Sequence, residues 1–437
     1  MSSYVTKKTD AETAWFVQDR FGMFIHFGLY SMPARHEWIK TQEQITEEHY
    51  DKYFNNFKPD MFDAKEWARK AKAAGMKYAV LTTKHHEGFC LFDSAYTDYK
   101  STNTPAGRDF VREFVDAFRA EGLKVGLYYS LIDWHHPDYQ IDVFHPRRNE
   151  PDAEEMNKVR DMARYREYMF NQVRELLTNY GKIDIIWFDF IYPSMESVRN
   201  EYNEFFFKDY KDWMPWTTKE TWHSEELVNM IRELSPGIII NDRLGIPQDV
   251  KTPEQSIALD WPLYPGTDEK AVWEACHTFS GSWGYSRDEM SWKNPEALIR
   301  TLVNCVSKGG NLIMNVGPTA KGYFDARADK ALAVYEEWMK YNSESIYNCT
   351  MAEPEFTAPL GTLLTQSVDE KKLYIHLVEY PFGEILLKDA AGKIDYAQFL
   401  HDNSEIHFIE QSDGNVTIVV PGIKPDSVLP VIEVILK

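Results

Sequence analysis

Five short apolar runs in the chain each end on side chains that can bind a polar ligand, pass a proton or attack an electrophile. The first closes on His26 in Phe24-Ile25-His26-Phe27-Gly28. The second runs into Lys84-His85-His86-Glu87-Gly88. The third ends on Tyr128-Tyr129-Ser130, followed by Asp133-Trp134-His135-His136. The fourth ends on Trp187-Phe188-Asp189 and the fifth on Asn241-Asp242-Arg243. One such ending means little. Five of them describe a rim of polar, acidic and ring-bearing groups, which is where a barrel of parallel strands carries its active site.

Asp189 closes the run Ile183-Asp184-Ile185-Ile186-Trp187-Phe188. On spacing alone a carboxylate there fits a nucleophile, a metal ligand, or a salt-bridge or helix-capping partner. A magnesium-binding strand of a nucleotide hydrolase is excluded, because no GxxxxGK[ST] loop accompanies it. Glycosidic cleavage needs two carboxyl groups, one to form a glycosyl ester and one to move a proton. The second candidates are Asp242, Glu254 and Glu274. Glu254 lies in Lys251-Thr252-Pro253-Glu254-Gln255, a loop from which an acid could reach over a docked sugar. Glu274 precedes the aromatic stretch Ser282-Trp283-Gly284-Tyr285, and Asp242 adjoins Arg243 as a ready ion-pair partner. The pairs His85-His86 and His135-His136 raise a metal hypothesis. Adjacent residues of a strand point to opposite faces, so both members of a pair reach a site only beyond the strand end. That geometry suits hydrogen bonding to hydroxyls better than tight coordination.

These endings require a particular scaffold. Nearly continuous apolar runs at Met23–Phe27, Tyr78–Thr83, Val125–Ser130, Ile183–Phe188, Ile238–Asn241 and Asn311–Val316 predict parallel strands covered on both sides. Amphipathic stretches at Ala64–Ala74, Arg108–Glu121, Ala153–Thr178, Glu225–Leu234 and Pro295–Ser307 predict the intervening helices, with Gly75, Gly122 and Gly181 at C-terminal caps. The repeated β-α units predict an α/β fold with a (β/α)8-type barrel over residues 1–345. Ile246 to Trp292 is irregular and leaves one or two strands unplaced. A long helix, Ala326–Tyr341, follows. Past Ser345 the texture changes to strand candidates at Leu373–Tyr380, Glu384–Leu387, Gln398–Leu400, Ile406–Ile409, Val416–Val420 and Val428–Leu436. Residues 346–437 therefore predict an antiparallel β-sandwich, packed closely against the barrel because no Pro/Gly-rich linker intervenes.

Bulk properties narrow the function. A net charge of −20 argues against nucleic acid and anionic membrane as partners, since both repel an acidic surface. Aromatic residues are 14% of the chain, which fits either stacking platforms for sugar rings or a core built from large side chains. The four cysteines are widely spaced and suggest neither a zinc ribbon nor a disulfide framework. The opening MSSYVTKKTD has no apolar stretch of a secretory signal, and no run is long enough to cross a membrane. The cytoplasm is the default expectation, and a homo-oligomer is compatible with all of this.

The chain resembles the α-L-fucosidases of glycoside hydrolase family 29. The signatures, in family order, are Phe24-Ile25-His26-Phe27-Gly28-Leu29-Tyr30-Ser31, Glu37-Trp38, Thr83-Lys84-His85-His86-Glu87-Gly88-Phe89, Tyr128-Tyr129-Ser130, Trp187-Phe188-Asp189, Asn241-Asp242-Arg243, Trp283-Gly284-Tyr285 and Gly309-Gly310-Asn311-Leu312. The resemblance implies a distorted (β/α)8 barrel followed by a C-terminal antiparallel β-sandwich. It implies a retaining mechanism with no cofactor and no metal, acting on fucosylated oligosaccharides. Asp189 matches the family nucleophile. The fucose pocket is implied at His26, Glu37, Trp38, His85, His86, Tyr129, Trp187 and Arg243, and Trp283 joins them as a candidate contact. The acid/base varies among relatives. Glu254 matches the Thr-x-Glu loop of similar bacterial members, while other relatives place the acid nearer Asp242 or Glu274. The expected reaction is double displacement, with the two carboxyl groups about 5–5.5 Å apart. A metal-dependent barrel hydrolase using His26, His85 and Asp189, and a non-catalytic fucose-binding protein, are the alternatives.

Overall fold

The computed structural model describes residues 10–199 and 204–437; residues 1–9, which include most of the opening segment inspected for a signal, lie outside the described residues. Seven parallel strands form one curled sheet: β1 (Phe21–Ile25), β2 (Tyr78–Lys84), β3 (Lys124–Ser130), β4 (Ile185–Asp189), β5 (Ile239–Ile240), β6 (Glu274–Thr278) and β7 (Asn311–Val316). Their order is β5-β4-β3-β2-β1-β7-β6. β6 falls in the stretch the sequence left unplaced. Its residues, Glu-Ala-Cys-His-Thr, carry no apolar run, and its burial comes entirely from its neighbours.

The gap between β5 and β6 is bridged by Val250–Glu254. Asn241 pairs with Val250, Lys251 with Trp273 and Glu254 with Cys276, all in parallel. Backbone bonds follow on both sides, with Val250 N donating to Ile240 O, and Cys276 N to Pro253 O. Pro253 has no N–H to add to the ladder, so this eighth stave is broken rather than regular. The result is a distorted (β/α)8 barrel.

Strand parity sorts the side chains. Phe24, Val80, Tyr128, Ile185, Trp187, Ile239, Val250, Cys276 and Ile313 pack together inside the barrel. Their neighbours Met23, Ile25, Leu81, Leu127, Tyr129, Ile186, Phe188, Ala275 and Met314 join the larger core beneath the helices. The period of two follows from the pleat. The helices stand close to expectation, at Ala64–Ala73, Phe110–Ala120, Ser224–Leu234, Pro295–Val306 and Ala326–Asn342. The predicted helix Ala153–Thr178 is two, Ala153–Lys158 and Met162–Asn179, because Asp161 caps the second by accepting from Ala163 N.

The C-terminal part is an antiparallel sandwich. β8 (Cys349–Met351), β9 (Thr362–Ser367), β10 (Lys372–Leu377), β12 (Ile394–Phe399) and β15 (Val431–Leu436) form a five-stranded sheet. β11 (Glu384–Leu387), β13 (Phe408–Glu410) and β14 (Val416–Val419) form the other. β8 and β9 are additions to the predicted set. Arg20, buried at the foot of β1, donates to Cys349 O and to Gly309 O, both at 2.8 Å, and so ties the sandwich to the barrel. Trp338 Nε1 donates to Leu429 O across the same seam. Among the described residues no helix is long and apolar enough to cross a membrane.

One buried ion pair sets the turns that face the barrel mouth. Lys84 Nζ lies 3.0 Å from Asp133 Oδ2 with both side chains excluded from water. It also donates to Tyr165 Oη and sits over the Tyr129 ring. Asp133 Oδ1 accepts from His135 N and His136 N, and Trp134 N donates to His86 O. Asp133→Leu leaves Lys84 uncompensated and is expected to cost about 3–5 kcal/mol. The double variant Lys84→Met/Asp133→Leu should recover a large part of that in urea unfolding. A single variant as stable as the parent would remove the pair from this role.

Candidate active site

A pocket opens at the C-terminal ends of the strands. It is lined by Phe24, His26, Glu37, Trp38, His85, His86, Tyr128, Trp187, Asp189, Phe190, Arg243, Glu254, Cys276 and Trp283. Ten of the thirteen candidate side chains named from the sequence meet here.

Asp189 ends β4 on the inward parity. Its Oδ1 accepts from Arg243 Nη1 at 2.8 Å and from Phe190 N at 3.0 Å, and its Oδ2 accepts from Tyr128 Oη at 3.0 Å. Phe190 reaches that bond by adopting φ 83°, a left-handed backbone that a bulky residue rarely takes. Burial pushes the Asp189 carboxyl up from its ordinary value. Arg243 opposes that rise, while the Glu254 charge adds to it. Arg243 Nη1 also reaches Glu254 Oε2 at 2.8 Å, so one nitrogen serves both carboxylates. Their facing oxygens lie no further apart than twice that length. The two acids differ in access: the Asp189 side chain is 15% exposed and that of Glu254 44%.

The imidazoles are held neutral and oriented. His26 Nδ1 lies 2.6 Å from Asn315 Oδ1, whose amide nitrogen donates to Trp283 O. An amide oxygen only accepts, so His26 carries its proton on Nδ1 and leaves Nε2 as an acceptor. His86 Nδ1 lies 2.7 Å from Ser130 Oγ, and that hydroxyl donates to Ile132 O. His86 therefore has the same tautomer. Burial lowers the His26 pKa to about 3 and takes those of His85 and His86 well below the usual histidine value.

Glu37 Oε2 accepts from Gly284 N at 2.7 Å. A Cβ at Gly284 would stand 2.8 Å from the Tyr30 ring and 3.0 Å from Glu37 N, so the glycine lets the Trp283 loop close on Glu37. Phe24 stands 5.2 Å from Trp187, 5.8 Å from Tyr128 and 6.0 Å from Trp283, between ring centroids. These four rings form one apolar corner. Trp38 packs on His86 and Phe190 on the opposite wall.

Three sequence candidates lie elsewhere or do other work. Tyr129 is a correction. It has the outward parity of β3 and donates to Gln172 Oε1 beneath the helices, and its neighbour Tyr128 takes the pocket position. Glu274 stands at the entry end of β6, bonded by Tyr78 Oη, and burial raises its pKa to about 8. Asp242 Oδ1 accepts from Thr252 N and Oγ1. The trio His26, His85 and Asp189 forms no coordination set; among the described residues no three His, Cys, Asp or Glu side chains gather as one. Phe24, Tyr128, Phe190, Cys276 and Asn315 escaped the sequence reading as site residues. All but Phe190 share the inward parity, the one signal that could have found them.

This barrel, with paired carboxylates facing a polar and aromatic pocket at its strand ends, is that of a retaining glycoside hydrolase. The profile of the family described as alpha-L-fucosidase matches residues 2–344. The chain belongs to that family, glycoside hydrolase family 29, and its activity is retaining hydrolysis of α-L-fucosyl residues. Among solved structures, alpha-L-fucosidase isoenzyme 1 from Paenibacillus thiaminolyticus is 43% identical, with a TM-score of 0.87 over 98% of this chain and 99% of that one. A Bacteroides thetaiotaomicron alpha-L-fucosidase, solved as a trapped covalent intermediate, is 28% identical, with a TM-score of 0.82 over 100% of this chain and 98% of that one. The human plasma alpha-L-fucosidase is 30% identical over 86% of this chain and 78% of its own length.

The parity argument separates two adjacent tyrosines. Tyr128→Phe removes a hydrogen bond to a carboxylate and should lower kcat/KM about ten- to a hundred-fold. Tyr129→Phe should keep kcat/KM within about three-fold and lose about 1 kcal/mol of stability with the Gln172 bond. The reverse pattern in steady-state assays on an aryl α-L-fucoside would reverse the assignment.

Proposed function

We propose that Asp189 is the nucleophile and Glu254 the acid/base of an exo-acting α-L-fucosidase that removes terminal fucose from glycans and oligosaccharides. The observation that carries this is the shared Arg243 nitrogen, 2.8 Å from each carboxylate. It holds their facing oxygens no further apart than twice 2.8 Å, which is compatible with the spacing of about 5–5.5 Å used for retention and short of the ~6.5–9.5 Å that leaves room for an inverting water. Their unequal exposure fits the division of labour. The shielded acid meets the anomeric carbon and the open one meets leaving group and water.

In the first step an Asp189 oxygen attacks the anomeric carbon from the β face. The bond to the aglycone oxygen breaks, and Glu254 gives that oxygen its proton. Esterification removes the charge of Asp189 and leaves the guanidinium facing Glu254 alone. In the second step Glu254 takes a proton from water. The water oxygen attacks the anomeric carbon from the α face, and the ester carboxylate leaves to Arg243 and Tyr128. His26 and His86 present Nε2 acceptors to sugar hydroxyls, with Glu37, His85 and Trp38 beside them. The corner of Phe24, Tyr128, Trp187 and Trp283 suits the C5 methyl, the apolar group that sets fucose apart from galactose. Residues 1–345 are taken as the catalytic unit and 346–437 as the sandwich. The cytoplasm is the proposed compartment, in keeping with four buried free thiols.

Because burial raises the Asp189 carboxyl, kcat/KM should fall on acidification at a pH above the ordinary aspartate value, as the nucleophile becomes protonated. Azide distinguishes the two roles. Asp189→Gly with an activated α-fucoside should yield the inverted β-fucosyl azide. Glu254→Gly should yield the retained α-fucosyl azide and lose far less activity on good leaving groups than on natural sugars. Glu274→Gly should yield neither. Retained azide from Glu274→Gly or Asp242→Gly, without any from Glu254→Gly, would move the acid/base. Inverted azide from another variant would overturn the nucleophile.

A further inference from the structure

Asp242 follows the end of β5 and turns away from the pocket toward Thr252. Its Oδ1 accepts from Thr252 N at 3.1 Å and from Thr252 Oγ1 at 2.9 Å. The hydroxyl spends its only proton there, so it meets Arg243 with lone pairs, and Arg243 Nε donates to it at 3.2 Å. Arg243 Nη2 donates to Thr252 O at 3.1 Å. Both atoms of the guanidinium's side-on fork are thus bonded by one buried threonine, and Nη2 also donates to Cys276 Sγ at 3.6 Å. The Trp187 ring, 4.6 Å from the guanidinium carbon, holds its face. Only the Nη1 end is left, and it is directed at Asp189 and Glu254.

We propose that Asp242 and Thr252 are positioning residues for fucoside hydrolysis: the aspartate fixes the threonine hydroxyl, and the threonine fixes the rotation of Arg243 so that one nitrogen serves both carboxylates. This rests on the roles given above to Asp189 and Glu254. Within the described residues neither Asp242 nor Thr252 lines the pocket; both act through Arg243. Thr252 also opens the short segment that ends in Glu254, so the same bonds set the stave on which the acid stands.

A merely structural contact and a positioning contact differ in what they do to Asp189. The groups facing that carboxyl are Tyr128 from β3, Arg243 after β5, Glu254 from the broken stave, Cys276 from β6, Glu37 beyond β1, and His26, His85 and His86 at the ends of β1 and β2. The three histidines are neutral. Arg243 is therefore the cation that offsets burial and the Glu254 charge. A guanidinium free to swing stabilises the Asp189 carboxylate less, and its acidic limb moves to higher pH.

The test is the pH dependence of kcat/KM on an aryl α-L-fucoside, with melting temperature, for four full-length variants. Thr252→Val should lose about ten-fold or more in kcat/KM, with the acidic limb displaced to higher pH. Thr252→Ser should restore both. Asp242→Ala should follow Thr252→Val. Asp242→Asn, whose amide oxygen still accepts both bonds, should stay close to the parent. A Thr252→Val enzyme with parental kcat/KM, or one whose activity and melting temperature fall while the limb stays put, overturns the proposal. So does Asp242→Asn as damaging as Asp242→Ala, the mark of a proton-transfer group. Inverted azide from Asp189→Gly together with an unmoved limb in Thr252→Val rejects the positioning role alone. Absence of that azide rejects the nucleophile and this proposal together.

Discussion

The site depends on a single cation placed between two acids. Two carboxylates this close repel each other, and one of them is buried, so without a partner the pair would take up a proton to relieve the strain. Arg243 offsets that repulsion by giving the same nitrogen to each. Its own burial is tolerable because its donors are matched: Nε to Thr252, Nη2 to Thr252 and Cys276, Nη1 to the acids, and its face to Trp187. A guanidinium suits this place because its planar fork separates structural donors from the one aimed at the chemistry.

The irregular barrel follows from the same need. A continuous eighth strand would lock Val250–Glu254 into a ladder on both sides. Pro253 interrupts that ladder, and Gln255 adopts φ 49°, so the stave bends where Glu254 must reach the mouth. Two further buried carboxyls show what the site avoids. Glu274 and Glu87 are both raised to about 8 by burial and are held by tyrosine hydroxyls rather than by a cation. Asp189 has Arg243 against it, a cation that opposes the rise burial causes.

The imidazoles complete a pocket made for hydroxyl groups. Held neutral by burial, with Nδ1 given to Asn315 and Ser130, His26 and His86 offer acceptors and add no positive charge beside Asp189. A charged histidine there would compete with Arg243 for the nucleophile. The rings leave Arg243 as the cation among the acids Glu37, Asp189 and Glu254 that line the pocket, with aromatic walls supplying apolar contact.

The sequence by itself determined the elements and the chemistry available at their ends. Apolar runs terminating on His26, Asp189 and Arg243, together with the ordered family signatures, identified the barrel, the reaction and most of the pocket, because these are local patterns along single strands. Tertiary structure decided which face each residue took and which acid met which. Tyr128 and Tyr129 are adjacent and chemically alike, and only strand pairing fixes which one turns inward. β6 has no apolar pattern of its own and exists because β7 and the broken stave hold it. Glu254, Glu274 and Asp242 are equivalent as acids in one dimension. They part because Arg243, Tyr78 and Thr252, brought to them from elsewhere in the chain, give each carboxyl a different electrostatic partner.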